Sequence, residues 1–125
     1  MSISERATVG RPAQTFGRIV TEEAVEKALD FLRDNAQDIG ESKARVVKAG
    51  HMVKHVEALL TLASEQKSVE ARKCEAKTNQ RWVDAVNEEA EAAGEFEKLK
   101  ALREAASAKI DAWRTESATY RGIKL

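Results

Sequence analysis

The chain has one cysteine, one proline, six glycines and six aromatic residues among its 125, and its formal net charge is zero. Each scarcity excludes something. A single thiol makes no internal disulfide, which points to a reducing compartment. One proline and six glycines supply too few turn residues for an all-β chain. A net charge of zero excludes attraction of nucleic acid or anionic lipid over the whole surface. No apolar run approaches the roughly 18 residues of a membrane span. The first twenty residues hold no apolar run behind a basic start, so no secretion signal is expected.

What is present is charge, 34% of the chain, arranged in blocks of alternating sign. The balance is +2 over residues 1–20, −5 over 21–42, +5 over 43–81, −4 over 82–112 and +2 over 113–125. Opposite blocks laid side by side disfavour wrong pairings, although a single exposed pair contributes only about 0–1 kcal/mol.

Hydrophobic spacing then defines the elements. Residues 1–20, with Gly10, Pro12 and Gly17, show no helical period and read as an extended arm. Thr21 has the chemistry of an N-cap, and Glu22, Glu23 and Glu26 follow where the helix dipole favours acid. A first helix is expected over 22–36, broken between Asn35 and Gly40. A second is expected over 42–64, with Val46, Ala49, Val53, Val56, Leu60 and Ala63 repeating at 3, 4, 3, 4, 3. Val47, Met52, Leu59 and Leu62 widen this seam, so the helix should meet more than one neighbour. Ser68 caps a short helix over 68–77. Thr78 and Asn79 start a long one over 79–117, whose stripe is Val83, Val86, Ala90, Ala93, Phe96, Leu99, Leu102, Ala106, Ile110 and Trp113. The fold class expected is all-α: a long antiparallel, coiled-coil-like helical hairpin with an additional N-terminal helix, in a single helical domain over 21–125. A turn near residue 72 would bring Gly50 opposite Gly94.

Chemical sites are few. His51 and His55 stand four apart, a spacing that holds a metal ion. Met52, Val53 and Lys54 lie between them, so the general-base glutamate of a metalloprotease helix is missing. Solvated histidines are the expectation, with no metal and no cofactor. Cys74 follows Arg72 and Lys73, whose charge favours a thiolate. With no base beside it in sequence, it reads as a spectator. The acidic run Glu88, Glu89, Glu91, Glu95 and Glu97 lacks the loop of a calcium hand and reads as a solvated helix face. Neither Gly10 nor Gly17 lies in a phosphate-loop pattern. Arg72, Lys73, Lys77 and Arg81 with Trp82 form the nucleic-acid candidate, which Arg11 and Arg18 of the arm, with Arg6, would extend. Phe96, Leu99, Ile110 and Trp113 are the residues expected in a core or a protein interface. The end of the chain, from Tyr120 to Leu125, is expected to dock on the bundle or on a partner.

Three segments carry a resemblance: Thr8–Pro12 (TVGRP), Glu26–Asn35 (EKALDFLRDN) and Ile110–Ser117 (IDAWRTES). Together they resemble small phage and prophage proteins of proteobacteria, often encoded among genes for recombination and single-strand DNA handling. The resemblance implies a bacterial cytoplasm and a phage setting. It carries no catalytic residue, because that family has no assigned active site.

The function expected is therefore non-enzymatic: a phage-encoded accessory protein acting through helix-mediated protein–protein contacts, self-association included. Nucleic-acid binding in recombination or replication is the alternative, and inhibition of a host defence or host enzyme the second. The partners expected are proteins, another copy of the chain included, and in the alternative a nucleic acid. No membrane and no small-molecule substrate are expected.

Overall fold

The computed structural model describes residues 20–124; the arm, with Arg6, Arg11 and Arg18, lies outside the described residues. Four helices and no strand are found among them: α1 (Glu22–Asp34), α2 (Ala36–Ala63), α3 (Val69–Thr78) and α4 (Gln80–Lys124). The fold class is all-α, a helical hairpin with an N-terminal helix.

The caps are made by the side chains whose chemistry suits them. Thr21 Oγ1 accepts the backbone N–H of Ala24 at 3.1 Å, and Ser68 Oγ that of Ala71 at 3.0 Å. Asn79 Oδ1 accepts the N–H of Arg81 at 2.9 Å and opens α4. Each satisfies a first-turn donor that has no partner inside its own helix.

Two breaks differ from expectation. The interruption after α1 is Asn35 alone, not the stretch to Gly40. Asn35 donates its backbone and side-chain N–H groups to the Phe31 carbonyl, closing α1 locally, and the chain is helical again at Ala36. Gly40 sits inside α2, where a glycine costs about 1 kcal/mol against alanine and does not stop a helix of this length. At the other end, α4 does not stop at Ser117. Ser117 is buried, Tyr120 is half-buried, and the helix runs seven residues further.

Residue contacts divide the chain into two compact units. Both use α4. The first unit holds α1 and the part of α4 from Leu102 onward. Its core is Val25, Ala28, Ala106 and Ile110, with Val20, Phe31, Leu32 and Trp113 packed around it. Two polar contacts fix α1 at its ends. Arg103 donates to the Leu32 carbonyl at 2.9 Å, and Glu116 accepts the Val20 N–H at 3.1 Å. The cation lies at the carbonyl end of α1 and the carboxylate at its amide end, the favourable sense for both.

The second unit holds α2, α3 and α4 as far as Ala101. The inner face of α2 is Ile39, Ser42, Val46, Ala49, Val53, Val56 and Leu60, all buried or half-buried, at spacings of 3, 4, 3, 4, 3, 4. The expected seam is therefore present. Its last member shifts: Ala63 is exposed, and Ser64 is buried in the turn, where its Oγ accepts the Gln66 N–H. α3 packs against α2. Trp82, Ala85, Glu89, Ala92, Phe96 and Leu99 form the α4 side of this unit, again at alternating 3 and 4.

The spacing continues in the first unit through Arg103, Ala106, Ile110, Trp113, Ser117 and Tyr120. The expected stripe lies one residue after this repeat at Val83, Val86, Ala90 and Ala93 and one before it at Leu102; Val83, Val86 and Ala93 are still half-buried, but Ala90 and Leu102 are exposed, and the charged Glu89 and Arg103 hold the half-buried positions beside them. A sustained 3–4 repeat fixes which positions face inward. At those positions a charged side chain is retained where a partner or space exists. Arg103 has the Leu32 carbonyl. Glu89 lies over Gly50, where an added Cβ would come within 3.1 Å of its carboxylate oxygen. Gly50 thus faces Glu89 and not Gly94, whose Cβ position is open.

Candidate functional site

The basic block does meet the acidic one in the second unit. Arg45 on α2 donates from Nε and a terminal nitrogen to the two carboxylate oxygens of Glu88 on α4, at 2.9 and 3.0 Å. This bidentate pair lowers the Glu88 carboxyl below its ordinary pKa, chiefly through the hydrogen bond, and raises that of Arg45. Lys43 Nζ stands 5.0 Å from the centre of the Phe96 ring, an attractive cation–π distance. The remaining ion pairs given for the described residues are local, such as Lys27–Glu23 and Arg114–Asp111.

The expected candidates separate. His51 and His55 are both exposed on α2, and among the described residues no three His, Cys, Asp or Glu gather to hold a metal. Cys74 is free and exposed on α3. Glu88 is paired with Arg45, Glu89 is half-buried, and Glu91, Glu95 and Glu97 are exposed. Phe96 and Leu99 are half-buried in the α4 seam of the second unit, Ile110 is buried in the core of the first, and Trp113 packs on that core.

The nucleic-acid candidate is split by the fold. Arg72 is half-buried, and its Nε donates to the Gln66 carbonyl, holding the α2–α3 turn. Trp82 is half-buried in the seam with its Nε1 enclosed and unpartnered, so its ring is not displayed for stacking. Lys73, Lys77 and Arg81 are exposed, and no ion pair is found for them among the described residues.

A feature the sequence reading assigned to packing is left open. Val47, Met52, Leu59 and Leu62 were expected to meet a second neighbour, yet they are 47, 43, 42 and 80% exposed. At 3.6 residues per turn Leu62 lies opposite the seam, Met52 and Leu59 flank the outer side at one edge and Val47 at the other, with Ala44, Lys48, His51, His55 and Ala58 between them. The surface around Val47 and Met52 forms a shallow hollow lined also by Ala44, Lys48, His51 and His55. A second hollow, around Ala58 and Leu62, is lined also by Lys54, Glu57 and Thr61 of α2 and by Lys73 of α3. Beside its covered seam, α2 therefore presents a mixed outer surface on which exposed aliphatics stand among Lys48, His51 and His55.

No helix among the described residues is long and apolar enough to cross a membrane. No family model, no curated protein and no solved structure matches the chain.

Proposed function

We propose that this is a non-enzymatic accessory protein that works by docking a helix of another protein, in the phage setting that the resemblance of its ends implies. The observation that carries the reading is the exposure of Met52, Leu59 and Leu62 on the outer side of α2. A helix inside a two-layer unit needs one apolar stripe, and α2 keeps Met52, Leu59 and Leu62 exposed besides its covered seam. Contiguous exposed aliphatics on a charged surface mark protein contact.

Affinity capture with paired baits tests this. Proteins held by the wild-type chain and lost with Leu59→Asp/Leu62→Asp, while circular dichroism of the two baits agrees, support the reading. Identical capture by both baits contradicts it.

A second reading is favoured by the exposed cations Lys73, Lys77 and Arg81. These can contact phosphate without stacking from Trp82. Its mark is affinity for a DNA or RNA strand that falls steeply between low and moderate salt. Binding that ignores salt, or survives replacement of all three by glutamine, ends it.

A further inference from the structure

His51 and His55, which the sequence alone reads as solvated, share their hollow on α2 with Met52. All three side chains are exposed, and none is engaged in a hydrogen bond or ion pair among the described residues. α2 is one unbroken helix from Ala36 to Ala63, which fixes their spacing. Residues three and four apart on a helix are neighbours, with Cβ atoms about 5–6 Å apart. His55 is therefore a neighbour of both His51 and Met52. Two imidazole nitrogens and a thioether sulfur stand together on a rigid element, with no other partner to occupy them.

We propose that this cluster binds one copper(I) ion, with His51 and His55 donating through imidazole nitrogen and Met52 through Sδ. The donor set selects the ion. The other residues of the hollow are Ala44, Val47 and Lys48, so it offers no carboxylate to a hard ion such as magnesium, calcium or manganese. Zinc accepts imidazole, but a closed zinc site takes four protein donors, and thioether is not among its usual ligands. A thioether favours copper(I). Lys48 stands about one turn before His51 and Met52, and its charge opposes a divalent ion more than a monovalent one. With no carboxylate in the hollow to orient either imidazole, the ion is held as an exchangeable one. Neither Leu59 nor Leu62 is a donor, so this site and the helix docking proposed above stand or fall separately.

The test is anaerobic titration of the full chain with copper(I), in competition with the chromophoric chelator bicinchoninate. The chain carries Cys74→Ser throughout, because the exposed thiol of Cys74 is a rival copper ligand. One equivalent of copper(I) should be retained. Affinity should fall about ten-fold or more with His51→Ala or His55→Ala, each of which removes one imidazole donor. Met52→Leu should weaken copper(I) binding and leave zinc(II) binding unchanged. On loading, the NMR signals of the Met52 methyl and of both imidazole rings should shift, while those of Val53 and Val56 in the seam stay in place. Leu59→Asp/Leu62→Asp should bind copper as the parent does. Circular dichroism of each variant shows that the fold is kept. The proposal is overturned if the chelator takes all the copper, or if both histidine variants bind as well as the parent. It is overturned equally if zinc(II) binds as tightly as copper(I) and Met52→Leu changes neither.

Discussion

Ser42 is the clearest single-residue cost in the second unit. Its Oγ is buried in the α2 seam with no hydrogen-bond partner. A buried polar atom left unpaired costs about 1–3 kcal/mol, and serine is also a poorer helix former than alanine. Ser42→Ala should therefore raise stability by about 1 kcal/mol in urea denaturation. The Arg45–Glu88 pair behaves differently because it is exposed and ionic. The folded-state pKa of Glu88 is depressed, so its contribution is present above the unfolded-state value and is lost as pH falls through the folded one. The melting difference between wild type and Glu88→Gln should favour wild type at neutral pH and vanish in strong acid. A difference that persists unchanged into acid would show that the pair is not its source.

At the scale of the helix, the sequence was legible where apolar spacing alone defined a face. Val46, Ala49, Val53, Val56 and Leu60 needed nothing else, and Thr21, Ser68 and Asn79 act as the caps their chemistry suggests. It was illegible where a seam position is charged. Glu89 and Arg103 hide part of the α4 repeat, because hydrophobicity favours Ala90 and Leu102 beside them, and before Phe96 the paired apolar residues Trp82–Val83, Ala85–Val86 and Ala92–Ala93 leave the register open by one residue. What admits them is non-local: the missing side chain of Gly50 and the carbonyl of Leu32. The exposed stripe on α2 was visible as apolar residues, but which face lacked a neighbour depended on the packing. Arg103 gives a direct test of the seam. Arg103→Met keeps the side-chain length and removes the bond to the end of α1, so it should cost about 1–2 kcal/mol, the scale of a charge-assisted hydrogen bond. A neutral result would place the guanidinium in solvent.

For the whole molecule, the two compact units share one helix and have separate buried residues. Among the described residues the buried hydrophobics are few: Val25, Ala28, Ala106 and Ile110 in one unit, and Ala49, Val56, Ala76 and Ala92 in the other. With half or more of each set alanine, a single aliphatic carries much of a unit. Ile110→Ala should cost about 2–4 kcal/mol, within the range for large-to-small core changes. Amide hydrogen exchange should then speed up in α1 and in α4 beyond Leu102 more than in α2, since local opening follows cooperative units. Equal acceleration in α2 would mean that the units open as one.

The claim on which the functional account rests is that α2 receives a partner helix on its uncovered face. Methyl and amide NMR spectra of the full chain, titrated with a helix selected for binding to it, read this residue by residue. The account predicts that signals of Met52, His55, Leu59 and Leu62 shift with saturation, while those of Val53, Val56 and Phe96 in the seam stay in place. Shifts confined to Lys73, Lys77 and Arg81, or spread through the seam, would contradict it.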